Sequence, residues 1–144
     1  MMTKEELERL DDQGIAAWND HDAEAWAALF ADDAVVSDWT NPEAMRGKDG
    51  ARSLFTAWVG AFPDMKVEVV SRVVGDDAVA AEVRFNGTNT GSMNMGGMDV
   101  PPTNKSVMGR GAYIARARNG AITEFRALPD AAGMMMQLGF GPQM

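Results

Sequence analysis

The chain has no cysteine and a single histidine, His21, among 144 residues. Thiolate chemistry and disulfides are therefore excluded, a Ser-His-Asp relay has to pass through His21, and no His-rich metal site can be assembled. The 21 Asp and Glu residues, the amides and hydroxyls, and the one tyrosine, Tyr113, remain available. Such a set suits general acid/base chemistry, in which a carboxylate takes a proton while a neutral donor holds an oxygen on which charge develops. Asp38, ending a short apolar run beside Trp39, is the candidate base, and Tyr113 is the candidate oxyanion donor. Asn89 is the third inward polar candidate; Trp18, Trp58, Phe85 and Phe125, with Trp39 next to the base, are candidate ligand-binding residues. His21, between Asp20 and Asp22, reads as a loop or capping residue. Thioethers such as Met93, Met95 and Met98 can gather around Cu(I). The same residues next to Gly96-Gly97 also suit a mobile apolar lip, the reading preferred here.

The elements that must position these groups follow from periodicity. Thr3-Lys4-Glu5-Glu6 has capping-box spacing, and Leu7, Leu10, Gly14 and Trp18 draw one apolar stripe, so a first helix is expected to about Asn19. Asp22 caps a second helix that buries Ala23, Trp26, Leu29 and Phe30. Ala34 to Asp38 reads as a short strand and Trp39 to Gly47 as a polar loop. Lys48 to Phe62 reads as a third helix stopped by Pro63. From Met65 the period changes to two: Met65 to Val70 and Val79 to Phe85 form a hairpin about Gly75-Asp76-Asp77. Gly91 to Asn104 reads as a loop, and Ser106 to Arg118 pairs with Ala121 to Leu128 across the Asn119-Gly120 turn. A short helix from Pro129-Asp130 to near Leu138 closes the chain, with Gly139 as its stop.

A chain of this length is expected to fold as one domain. Helices segregated from an antiparallel sheet give the α+β pattern. A strongly curved sheet with the N-terminal helices across its open side encloses a cone-shaped cavity suited to a small apolar ligand. With 13 Lys and Arg against 21 Asp and Glu the net charge is −8, which disfavours nucleic acid and anionic membranes as partners. The N-terminus is polar, and no run approaches the ~20 apolar residues of a membrane span, so a cytoplasmic protein is expected.

Several segments, Ala17-Trp18-Asn19-Asp20-His21-Asp22, Arg46-Gly47-Lys48-Asp49, Ala61-Phe62-Pro63-Asp64, Gly87-Thr88-Asn89-Thr90-Gly91, Pro101-Pro102-Thr103, Asn119-Gly120-Ala121-Ile122 and Gln137-Leu138-Gly139, occur in an order and spacing that resemble the SnoaL-like polyketide cyclases of the nuclear transport factor 2-like superfamily. The resemblance runs from about Ala17 to Gly139. It implies an α+β barrel, usually dimeric, that holds a hydrophobic ligand in its cone. The cyclases close a ring by an intramolecular aldol reaction, with a buried aspartate on the last strand as general acid/base. The resemblance places that aspartate at Ala127, its accompanying histidine at Tyr113, and the histidine of the Gly-Thr-His-Thr-Gly segment at Asn89. Ala127 then becomes a ligand-contact position rather than an acid/base.

If Phe125 and Ala127 face the cavity, strand alternation turns Ala121 and Thr123 inward with them and Glu124 and Arg126 outward. Around Tyr113 the inward face is Gly109, Gly111, Ala115 and Ala117, which leaves room, while Arg110, Arg116 and Arg118 share the other face. Three readings follow. The chain is a cofactor-free acid/base enzyme of cyclase or isomerase type acting on a small apolar carbonyl compound; or a non-catalytic binding domain that kept the cone; or an interaction module built on the outer sheet face. A homodimer is expected to pair the outer faces, with Ile114, Ile122 and Leu128 beside the Arg and Glu side chains.

Overall fold

Thr3 Oγ1 accepts from the Glu6 backbone at 3.1 Å and Glu6 Oε1 accepts from the Thr3 backbone at 3.0 Å, so the capping box opens helix α1, Lys4–Asn19. The computed structural model describes residues 1–95 and 97–140, the side chain of Met95 excepted. Asp22 accepts from Ala25 N at 3.0 Å and starts α2, Ala23–Ala27. His21 makes the turn between the helices at φ 56°, and its Nε2–H donates to the Met65 carbonyl at 2.7 Å. The remaining elements are β1 (Phe30–Asp38), β2 (Asn41–Arg46), α3 (Gly47–Ala61), β3 (Lys66–Val74), β4 (Ala78–Thr88), β5 (Met93–Met95), β6 (Met98–Val100), β7 (Ser106–Arg118), β8 (Ala121–Pro129) and α4 (Ala131–Gln137).

Six strands make one curved, unclosed sheet in the order β2-β1-β8-β7-β4-β3. All neighbours are antiparallel except β1 and β8, which run parallel. The strands β5 and β6 pair as a separate hairpin. The mixed α+β architecture agrees with the sequence, and four expectations are corrected. Phe30 belongs to the strand, not to the second helix. It stands four residues after Trp26, which imitates helical spacing, and its ring packs 4.7 Å from Trp26 from the strand side. The segment Trp39 to Gly47 is not all loop: Asn41–Arg46 adds the edge strand β2. Its residues are mostly exposed and do not alternate, and an edge strand tolerates Pro42. The Gly91 to Asn104 segment likewise contains β5 and β6; Gly96 lies outside the described residues.

The fourth correction concerns β8. Arg116 pairs with Glu124, but the next pair is Ala117 with Ile122, so Thr123 is the extra residue of a bulge. The bulge turns Ile122 into the core, so it does not stand on the outer face, whereas Leu128 keeps the face of Arg126 and Glu124. Helix α3 starts at Gly47, where φ is 67° and a Cβ would lie 2.6 Å from the Asp32 carbonyl oxygen; only glycine fits there. Among the described residues no helix is long and apolar enough to cross a membrane.

Candidate functional site

Helix α1 lies over β3 and β4 and presents Leu7, Leu10, Asp11, Gly14, Ile15 and Trp18 to a partly open space whose opposite wall is β7 and β8. These positions fall at helical intervals of three and four, one face of the helix. From β7 the small residues Gly111, Ala115 and Ala117 flank Tyr113, and from β8 come Ile122, Phe125 and Ala127. Aromatic rings close the sides. Trp18 meets Trp26 and Phe55 edge-on, each at 4.9 Å, Tyr113 stacks on Phe125 at 5.3 Å, and Trp58 meets Phe85 at 5.6 Å. Phe85 has room because β7 carries Gly109 opposite it, where a Cβ would come within 2.1 Å of the ring. The cavity volume is about 120 Å³. A cavity of about 150 Å³ holds one benzene ring, so this space is on the scale of a single ring.

One set of polar atoms interrupts the apolar wall. Tyr113 Oη donates to Asp11 Oδ1 at 2.5 Å, and Arg72 Nη1 donates to Asp11 Oδ2 at 3.0 Å and to Asp12 Oδ1 at 2.7 Å. The Asp11 side chain is only 6% exposed. Burial, and then the Asp11 charge and the hydrogen bond to it, push the Tyr113 phenol well above its ordinary value, so it keeps its proton. Hydrogen bonds to Asp12 and then Asp11 hold the Arg72 guanidinium charged. Trp18 Nε1 is packed within the protein, with no hydrogen-bond partner among the described residues.

Asp38 is 3% exposed and accepts three hydrogen bonds: Thr40 N and Thr40 Oγ1 at 2.8 Å on Oδ1, and Trp58 Nε1 at 2.6 Å on Oδ2. Strand register puts it in a transverse row, Asp38, Ala127, Tyr113, Ala81, Arg72, across β1, β8, β7, β4 and β3. Neighbouring strands lie about 4.8 Å apart, so the Cα atoms of Asp38 and Tyr113 are about 10 Å apart with Ala127 midway. They do not open on one cavity. Asp38 lines an adjoining space of about 230 Å³ with Thr40, Met93 and Met134, and Trp58 is a wall of both.

Comparison with known proteins fits this geometry. A family model described as SnoaL-like polyketide cyclase matches residues 8–138. The chain belongs to the SnoaL-like polyketide cyclase family. No curated protein sequence matches it. Among solved structures, AclR from Streptomyces galilaeus, described as a candidate hydroxylase, is 24% identical with a TM-score of 0.82, over 99% of this chain and 86% of that one. IdmH from Streptomyces antibioticus, a candidate polyketide cyclase, is 27% identical with a TM-score of 0.71, over 92% and 97%. A protein with a ketosteroid isomerase-like fold from Catenulispora acidiphila is 19% identical with a TM-score of 0.76, over 92% and 93%.

In this SnoaL-like chain Trp18, Trp58, Phe85, Tyr113, Phe125 and Ala127 line the cavity, whereas three of the residues read from the sequence stand elsewhere. Trp39 is 77% exposed: it follows Asp38 at the strand end and points away from the row. Asn89 is fully buried but is a structural bracket. Its amide donates to the carbonyls of Ala61 at 3.1 Å and Gly91 at 2.8 Å and accepts from Thr103 N and Oγ1 at 2.9 Å. Asp38 backs the Trp58 wall. Of the three methionines Met93, Met95 and Met98, Met93 is buried in the core and Met98 is 70% exposed, while the Met95 side chain lies outside the described residues. No group of three or more His, Cys, Asp or Glu that could hold a metal occurs among the described residues. Sequence reasoning missed Asp11 and Arg72. The signal for Asp11 was its place four residues after Leu7 and seven before Trp18, a carboxylate within the apolar stripe.

Proposed function

We propose that this SnoaL-like protein binds a small apolar carbonyl compound in the cone and moves a proton α to the carbonyl without a cofactor. The reading rests on one observation, the Asp11 carboxylate, only 6% exposed, among the lining of an apolar, aromatic-walled cavity. Asp11 is the carboxylate among the cavity-lining residues, two helical turns from Trp18, about 10 Å along the axis, and it is the base in this reading. Asp38 is a positioning residue that fixes the Trp58 ring through its indole N–H. Tyr113 does not donate to the enolate, because its proton is given to Asp11.

Non-catalytic binding is the second reading. It is favoured by the full occupation of the Asp11 oxygens by Tyr113 and Arg72 and by the methyl group of Ala127 in the middle of the row. The test is α-deuteration of acetophenone in D2O, followed by NMR, beside a binding titration. Catalysis requires exchange above the buffer rate that falls at least ~10²-fold in Asp11→Asn. Binding without exchange assigns the chain to the second reading, and exchange lost in Asp38→Asn but kept in Asp11→Asn moves the base to Asp38. We take the assembly to be a homodimer through the outer sheet face, where Arg116, Glu124 and Arg126 form an exposed pattern of alternating charge. The cellular setting proposed is the cytoplasm.

A further inference from the structure

Asp11 and Asp38 both turn their carboxylates away from solvent, and the fold treats them differently. Asp11 is paired with a cation, Arg72, at 3.0 Å. Asp38 receives only neutral donors, Thr40 N, Thr40 Oγ1 and Trp58 Nε1, and among the described residues no Lys, Arg or His forms an ion pair with it. Buried charges are as a rule paired, so Asp38 is the inward carboxylate whose charge the chain itself does not balance.

Asp38 and Trp58 border a cleft of about 230 Å³ that adjoins the cone on the far side of Trp58, between α3, the β1–β2 turn, β5 and α4. Exposed Asn41, Ser53 and Ala57 stand at its mouth, and Met45, Met93 and Trp58 line its walls. Since about 150 Å³ holds benzene, this cleft admits one ring with a short arm. An indole face attracts a cation within about 6 Å of its centroid. The 2.6 Å bond from Nε1 to Asp38 Oδ2 sets the carboxylate at the edge of the same ring, so ring and carboxylate act on one cation together, away from bulk water where charge attraction is strong. The net charge of −8 draws cations towards the protein as a whole.

We infer that this cleft is a second ligand site, separate from the cone, that takes a small organic cation: an ammonium seated against Trp58 and paired with the Asp38 charge, on an apolar body that lies along Met45 and Met93. The inference does not depend on what the cone binds. A neutral ligand of the same shape gains the packing without the charge pairing, and Asp38 repels an anion.

The test is calorimetric titration of the full chain at about pH 7 with benzylamine, which is protonated there, beside benzyl alcohol and benzoate. Benzylamine is expected to bind about tenfold or more tighter than benzyl alcohol, and benzoate not to bind in the cleft. Asp38→Asn keeps the shape and removes the charge, and should bring benzylamine down to benzyl alcohol. Ala57→Trp fills the mouth from an exposed helix position without touching the Asp38 bonds, and should abolish the binding of both; it decides the matter even if Asp38→Asn does not fold. Equal affinity for benzylamine and benzyl alcohol, or no binding of either, overturns the inference. A cation preference that survives Asp38→Asn or Ala57→Trp overturns it too, because the cation is then held elsewhere on this acidic chain. Acetophenone titrated into Ala57→Trp reads the cone separately, so the carbonyl reading stands or falls on its own.

Discussion

Tyr113 is the single tyrosine, so its ionisation can be followed without interference from another phenol. Its folded value lies above the ordinary 10.0, first through burial and then through the Asp11 charge. The neutral phenol is therefore favoured by folding. This contribution to stability is present in full below about pH 10 and is lost as the pH rises above it, because the unfolded chain ionises while the folded chain resists. Tyrosinate absorbance near 295 nm should appear together with alkaline unfolding rather than before it, and a free phenol titration in the folded protein would contradict the Asp11 bond. At Asp38 the structural role has its own outcome. Asp38→Ala removes the acceptor of Trp58 Nε1 and Thr40, and should cost about 2 kcal/mol or more in denaturant unfolding. Asp38 was legible as an inward-facing strand-end carboxylate. Its separation from Tyr113 was not, because that depends on where the Trp58 ring from another element falls.

At the scale of elements, the long helices and long strands were readable where their period is unbroken: Leu7, Leu10, Gly14 and Trp18 on α1, and the alternating Val79, Ala81, Val83 and Phe85 on β4. The edge strand β2 was not readable, since an exposed strand paired on one side needs no alternation. The bulge at Thr123 hid the inward turn of Ile122, because one extra residue reverses alternation and leaves no mark in composition. Asp11 went unread because attention to apolar residues on the stripe passed over the one carboxylate within it. Close packing of β4 against β7 gives a direct test. Gly109→Ala places a methyl 2.1 Å from the Phe85 ring, which must swing into the cavity. A loss of about 1–3 kcal/mol and weaker ligand binding are expected together, and unchanged stability would mean that the ring is not held there.

For the molecule as a whole, the curved sheet keeps its inner face for the cavity and core, while Arg110, Arg116 and Arg126 are carried outward beside Glu124. Met108 is also exposed there, at 68%. Sedimentation at micromolar concentration should show a dimer, and Ile114→Glu, which adds a charge to this face, should shift it toward monomer. A strict wild-type monomer would reject the pairing. The central claim, that the cone holds a small apolar carbonyl compound against Trp18, can be read at one side chain. The chain has four tryptophans and hence four indole N–H signals in a ¹H–¹⁵N spectrum, with Trp18 assigned by Trp18→Phe. Addition of acetophenone should move the Trp18 signal, because that side chain lines the cavity, and leave that of exposed Trp39 in place. Saturable binding of acetophenone with the Trp18 signal unmoved would contradict the account.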